Sequence, residues 1–290
     1  MQPVVFNNRR FYIKRDDLLN PFFSGNKARK FSYFLTEYSQ AIDNIISYGS
    51  IQANSLYSLA ALAKLKGCQL NYYCYPIPTW LKQKPIGNYL GALELGAKII
   101  EVTTATVNLD SYMQKLAHSL SPSSLFIPEG GRCQFAEYGI KTLADEIIEF
   151  CQKQNLQKPL IFLPSGTGTT ALYLQKHLPY QVLTCACVGD VDYLKTQWQL
   201  LNDNKNFWPA IIPTKKKYHF GKLYQQWYQL WQQLLAQTSI EFDLLYDPMG
   251  WHTLLEYLDQ RSINSEVIYI HQGGLKGNES MLPRYQRKYG

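Results

Sequence analysis

The sequence predicts an α/β protein built on a mainly parallel sheet. Apolar runs of strand length alternate with amphipathic stretches of helical period through almost the whole chain, and glycine or polar turns separate them. A glycine- and threonine-rich turn, Ser165 to Thr170, also sits between the most apolar strand run and a helical run. With 290 residues the chain can bury a large core and is long enough for two lobes. A composition of 46% hydrophobic and 18% charged residues excludes a disordered chain, and 22 tyrosines point to a well-filled interior.

Taken in order, Ala41 to Ser47 reads as a strand running into a turn at Gly49. Asn54 to Lys66 carries Leu56, Leu59, Leu62 and Leu65 at intervals of three, the stripe of a helix packed on that strand. Asn71 to Tyr75 is a second strand, Asn88 to Leu95 a helix stopped by Gly96, and Lys98 to Val102 a third strand. The second half opens with Ser124 to Pro128, a helix over Glu137 to Lys153, the strand Pro159 to Leu163 and a helical run Ala171 to Leu178. Val182 to Val188 follows, then a helix over Lys222 to Gln237, whose Leu223, Trp227, Leu230, Trp231 and Leu234 form a buried stripe. An apolar run at Phe242 to Tyr246, a helix over Trp251 to Gln260 and a strand over Glu266 to Ile270 complete the pattern, with no repeat and no long linker.

The formal charge of +7 fits an anionic small ligand as well as nucleic acid, but the basic residues are scattered and the one dense run is Lys215 to Lys217, so no nucleic-acid partner is expected. No window has the apolar length of a membrane span, and Asn7, Asn8, Arg9 and Arg10 stand where a signal sequence would be hydrophobic, so the expectation is a cytoplasmic protein without membrane attachment. Six cysteines show no paired C-x-x-C spacing, which argues for reduced, mostly buried thiols and against a metal site.

Four features carry chemistry. Ser24-Gly25-Asn26-Lys27-Ala28-Arg29-Lys30 places a lysine at a helix start with Arg29 and Lys30 as neighbouring cations, a candidate Schiff-base amine; alone, the run also fits a solvated helix face. Ser165, Gly166, Thr167, Gly168, Thr169 and Thr170 form a turn whose backbone N–H groups can converge on a phosphate at a helix N-terminus, without the lysine of a P-loop. Gly49 to Ser55, with Ser50, Gln52, Asn54 and Ser55, can hold a carboxylate or simply cap the next helix. His271, Gln272, Gly273 and Gly274 end a strand where ligands bind in parallel sheets, though His271 alone fits a structural role. Together these are the parts that pyridoxal 5′-phosphate (PLP) needs: an amine, a phosphate cup, a carboxylate turn and a polar group for the pyridine nitrogen.

The sequence resembles the 1-aminocyclopropane-1-carboxylate (ACC) deaminase/D-cysteine desulfhydrase family of fold type II PLP enzymes, which are tryptophan synthase β-like. The resemblance runs from Ile13-Lys14-Arg15-Asp16-Asp17-Leu18 to Gly274 through the lysine motif, Gln52-x-Asn54, Ile127 to Gly131, Ser165 to Thr169, His219-Phe220-Gly221, Asp247-Pro248 and His271-x-Gly273-Gly274. It implies two lobes of parallel-sheet, three-layer build with the cofactor in the cleft: residues 1–30 with 132–290 as the larger, PLP-binding lobe and 31–131 as the smaller. It further implies that Lys27 is the Schiff-base lysine and the base at the substrate Cα. Asn54 would bond the cofactor 3′-oxygen, Ser165 to Thr170 would hold the phosphate, and Gln272 stands where relatives place a threonine near the pyridine nitrogen. The substrate would lie against Ser50, Gln52, Ala53 and Gly130.

Two departures bear on the substrate. Ala53 stands where the family has a catalytic serine, and Gly250 where it has an active-site tyrosine, leaving Trp251 or His252 as candidates to refill the space and a core or rim role equally open for Trp251. Both losses argue against opening a cyclopropane ring. The expectation is therefore a homodimeric PLP lyase that eliminates the β-substituent of a small amino acid, D-cysteine or a relative, to give pyruvate and ammonia. An ACC deaminase-like activity and a PLP-binding protein with little catalysis are the alternatives.

Overall fold

The computed structural model describes residues 1–23, 25–103 and 108–290, so Ser24 of the lysine motif lies outside the described residues. The elements, in chain order, begin with β1 (Gln2–Phe6), β2 (Arg9–Arg15), α1 (Gly25–Thr36), β3 (Asn44–Tyr48), α2 (Asn54–Lys66), β4 (Gln69–Cys74), α3 (Thr79–Gln83), α4 (Gly87–Glu94), β5 (Lys98–Glu101), α5 (Leu109–Ala117) and β6 (Ser124–Phe126). They continue with α6 (Ala136–Lys153), β7 (Leu160–Ser165), α7 (Thr169–His177), β8 (Val182–Ala186), α8 (Val191–Gln199), β9 (Ala210–Ile211), α9 (Gln225–Thr238), α10 (Asp247–Gln260), β10 (Val267–His271) and α11 (Asn278–Tyr289).

They form two sheets. The smaller runs β5-β4-β3-β6 and is parallel throughout; the larger runs β1-β2-β10-β7-β8-β9 and is parallel except for the β1–β2 hairpin. Both sheets are covered on both faces, as parallel sheets require. In the larger, Phe11, Trp251 and Tyr269 pack on one side, while Ile161, Ile268 and Ile140 pack on the other. In the smaller, consecutive residues of β3 point opposite ways: Ile45 joins Leu59 and Leu70, and Ile46 joins Val102 and Met113.

The strands and helices expected between Ala41 and Val102 are present with small boundary shifts, and α2 spans the expected residues. The hairpin β1–β2 and helices α5, α8 and α11 are additions. The apolar run Phe242 to Tyr246 is not a strand, because side chains take its backbone donors: Leu244 N–H donates to Asn278 Oδ1, and Leu245 N–H to Asp243 Oδ1. With the chain already turned there, α10 starts at Asp247 rather than Trp251, and Pro248 is tolerated in its first turn. All six cysteines are free, and Cys74, Cys151, Cys185 and Cys187 are buried.

Helix α1 is held on α6 by a close crossing. Gly139 permits it, since a Cβ there would stand 2.1 Å from the Arg29 carbonyl oxygen. Beside the crossing, the buried Arg29 guanidinium donates to Asp16 Oδ1 at 2.9 Å and to Glu146 Oε2 at 2.7 Å, and Lys14 Nζ reaches Asp16 at 2.6 Å. Arg29 therefore ties β2, α1 and α6 together. Replacing Arg29 with leucine should lower stability in urea unfolding by about 3 kcal/mol, because Asp16 is left buried with too little positive charge. Adding Asp16→Asn should recover part of that loss.

Candidate active site

Parallel sheets bind ligands beyond the carboxyl ends of their strands, and the expected site residues converge there. A cavity at the ends of β7 and β10 is lined by Lys27, Ala53, Asn54, Gly130, Ser165, the 166–170 turn and Gln272. Ser50 and Gln52 line an adjoining cavity instead.

Lys27 is placed by the way α1 begins. Asn26 N–H donates to the Gln272 carbonyl at 3.0 Å, and Gly25 has φ +65° with no room for a side chain, since a Cβ would stand 1.9 Å from the same oxygen. The helix start is thus pressed against the end of β10, and the Lys27 amine is directed into the cavity with one weak partner among the described residues, Asn26 Oδ1 at 3.4 Å. Burial lowers its pKa to about 8, while the Glu129 carboxylate opposes the shift. The neighbouring cations expected to lower it act otherwise: Arg29 is engaged with Asp16 and Glu146, and Lys30 is itself buried with its Nζ on the Gly130 carbonyl.

The 166–170 turn forms the expected cradle. Gly168 adopts φ +71°, its carbonyl accepts from Trp198 Nε1 at 3.0 Å, and α7 begins at the next residue. Thr167 and Thr169 share a hydrogen bond, while Thr170 Oγ1 is buried with no partner among the described residues. A buried hydroxyl without a partner beside the N–H groups of a helix start is a vacant anion donor. Ser165 differs: its hydroxyl bonds Thr184 Oγ1 at 2.6 Å, so it faces the sheet and leaves the cavity its backbone.

Asn54 begins α2, but Ala53 is the cap residue and makes no side-chain cap. The Asn54 amide is held instead by Asn88, whose Nδ2 donates to Asn54 Oδ1 at 2.8 Å and to the Gln52 carbonyl at 2.9 Å. Gln52 turns its own side chain to the Ile86 carbonyl. Gln272 uses both ends of its amide, donating to the Pro164 carbonyl at 2.6 Å and accepting from Asn26 Nδ2 at 3.0 Å. His271 has the structural role left open for it, with Nε2 on the Glu241 carbonyl and Nδ1 accepting Gly273 N–H.

Sequence reasoning missed three residues. Glu129 lies at the carboxylate-type turn itself: a Cβ on Gly49 would stand 2.7 Å from Glu129 Oε1, and Ser50 N–H bonds its carboxylate. Burial raises the Glu129 pKa. Asp243, buried beside Asn54, binds the N–H groups of Leu245 and Asp247 at 3.0 Å and 3.4 Å, and burial raises it to about 6. A carboxylate inside the apolar run Phe242 to Leu245 was the available signal.

The third is Tyr246. At Gly250, where the resemblance places a tyrosine, a side chain would displace its neighbours, because a Cβ would stand 2.9 Å from Tyr269 Oη and 3.0 Å from Pro164. Neither expected replacement enters the cavity: Trp251 stacks on Tyr269 in the core at 4.3 Å, and His252 lies by Tyr218. One turn earlier, Tyr246 packs over Gly166 and lines the cavity, and its hydroxyl has no hydrogen-bond partner among the described residues. Burial, with Asp243 close by, raises its pKa, so the phenol stays protonated.

No family profile matches the chain. The D-cysteine desulfhydrase of Salmonella typhi is 29% identical over 176 residues, covering 56% of this chain and 51% of that protein, so the match spans about half the relative's length. A crystal structure of an ACC deaminase homologue superposes with TM-score 0.80 at 20% identity, covering 96% of this chain and 89% of the other. A hydrogen sulfide-producing enzyme from Fusobacterium nucleatum superposes with TM-score 0.63 at 13% identity, covering 95% of each chain. These structural likenesses establish a tryptophan synthase β-like, fold type II architecture, and over about half of its length the chain is similar in sequence to a D-cysteine desulfhydrase.

Proposed function

We propose that this protein binds PLP and eliminates the β-substituent of an amino acid, D-cysteine or a relative, yielding pyruvate and ammonia. The observation that carries the reading is the buried Lys27 amine, with pKa near 8, sharing a cavity with a glycine–threonine cradle whose Thr170 hydroxyl is unpartnered. Among the described residues no cluster suited to a metal ion occurs and no helix is long and apolar enough to cross a membrane. The names of the relatives, a desulfhydrase and a hydrogen sulfide-producing enzyme, point to the same chemistry. A cytoplasmic homodimer, with lobes of residues 1–30 plus 132–290 and 31–131, is part of the proposal.

The residues present fit the cofactor. The N–H groups at the start of α7, with Thr167, Thr169 and Thr170, would hold its phosphate; Asn54 and Gln272 would border its ring; Lys27 would hold its carbonyl carbon. When bound, PLP supplies an electron sink for the substrate Cα. With a pKa near 8, about one tenth of the Lys27 amine is neutral at pH 7, far more than for a solvated lysine, so it can accept the Cα proton. Ala53 places a methyl group at the turn, and its backbone and Gly130 would border the substrate, with Ser50 and Gln52 lining the adjoining cavity. Tyr246, protonated and unpartnered, can donate to the departing atom. The Cβ–X bond breaks with its electron pair going to X, which leaves as HX, and the enamine hydrolyses to pyruvate and ammonium.

Titrating purified protein with PLP should give a saturable visible band that is lost in Lys27→Ala, and pyruvate formation from D-cysteine or β-chloroalanine should disappear with it. A band without turnover of any D- or L-amino acid would assign PLP binding alone, and the absence of a band would remove the reading. Tyr246→Phe should slow elimination of a thiol at least tenfold while affecting chloride, which needs no proton, much less. Reductive alkylation of Lys27 in the apoprotein, followed by peptide mass spectrometry, should rise with a midpoint near pH 8. Glu129→Gln should move that midpoint down, because the carboxylate holds the proton on Lys27. Since folding lowers this amine's proton affinity, Lys27 should make stability increase as pH rises from about 8 towards the usual lysine value of 10.5.

A further inference from the structure

The cradle cavity opens into a second, larger one of about 1150 Å³, and the two share Ala53, Asn54, Glu129, Val188 and Tyr246. That exceeds what D-cysteine needs, since pockets of roughly 300–1,000 Å³ already enclose drug-sized ligands. Its body is apolar: Leu81, Ile86, Leu245 and Met281 line it, with two aromatic rings the core does not use, Trp80 at 64% and Phe220 at 45% exposure. Such exposed rings mark contact surface rather than core.

The rim is cationic. Ser280, Arg284 and Arg287 follow one another at spacings of four and three on α11, so a single helix face points at the cavity, and Lys84 joins them from the end of α3. Arg284 donates only to Met281 Sδ and the Gly221 carbonyl, and neither Lys84 nor Arg287 has an ion pair among the described residues. Among the described residues the one lining carboxylate, Glu129, lies at the inner end shared with the cradle. Three cations without acidic partners around an apolar chamber suit a ligand with an apolar body and an anionic end.

We propose that the substrate is a β-substituted alanine whose leaving group is a bulky thiol ending in a carboxylate or similar anion, its apolar part lying against Trp80 and Phe220 and its anion bound by Lys84, Arg284 and Arg287. The proposal rests on the elimination reading and specifies its substrate. Reaction with one water then gives the anionic thiol, pyruvate and ammonium: the Cα–H and Cβ–S bonds break, the sulfur leaves with its electron pair and takes a proton, and no oxidant or reductant is consumed.

The test compares kcat/KM of the holoenzyme for S-(4-carboxybenzyl)cysteine and its neutral isostere S-(4-carbamoylbenzyl)cysteine, in both enantiomers, each normalised to β-chloroalanine. The expected result is a preference of about tenfold for the anion, equivalent to about 1.4 kcal/mol, which shrinks in 0.5 M salt and falls to near one in Arg284→Gln/Arg287→Gln. Turnover of β-chloroalanine without any preference for the anion overturns the inference and leaves the elimination standing. A preference of one accompanied by a changed sedimentation coefficient in the double variant places the cations at a contact between copies and also overturns it. If β-chloroalanine is not turned over, the elimination reading fails and the substrate assignment built on it falls with it; calorimetric binding of the two thioethers to Lys27→Ala protein then reports only whether the arginines select the anion.

Discussion

Burying the Lys27 amine costs free energy in proportion to its lowered pKa, on the order of 3 kcal/mol for a fall from 10.5 to about 8. The surrounding structure is arranged to sustain that cost. Gly25 lets α1 start against a carbonyl at the end of β10, and Gln272 then links Asn26 to the Pro164 carbonyl at the end of β7. The Arg29 network fixes the same helix from its other side. The amine is thus positioned by backbone and packing, with one weak contact, to Asn26, among the described residues.

The same site holds other ionisable groups out of water. Glu129, Asp243, Asp247 and Lys30 all have pKa values displaced by burial towards their neutral forms. Perturbed values cluster where function resides, and here they surround one cavity. Asp247 and Asp243 also do structural work, the one accepting Tyr269 Oη at 2.6 Å and Asp243 N–H at 3.0 Å, the other fixing the turn that presents Tyr246.

The sequence carried the α/β architecture because its helices advertise themselves through a leucine stripe, as in Asn54 to Lys66, and its strands through runs such as Leu160 to Leu163. The 165–170 turn was legible as a cavity wall because glycines and hydroxyls at a strand-to-helix turn mark an anion cradle, Lys27 because it opens a helix in a basic run, and Gln272 through the resemblance and its place at a strand end. What escaped depends on partners distant in sequence. Asn278 takes the Leu244 donor across 34 positions, which makes an apolar run irregular. No local pattern announces that Gly250 faces Tyr269, or that Tyr246 lines the cavity beside Tyr193. Charged α11, with Arg284 and Arg287 on one face, lacks the broad apolar stripe by which helices are recognised.

The hydrogen bonds at Gln272 have a dynamic consequence. Its side chain and its carbonyl are shared between α1, β7 and β10, three elements that belong to the interior of the larger sheet and its covering helix. Freeing Lys27 from its position requires detaching α1 from β10, and that detachment exposes the strand ends beneath the 166–170 turn at the same time. Through Gln272, displacement of the amine is thus coupled to displacement of the strand ends that carry the cradle.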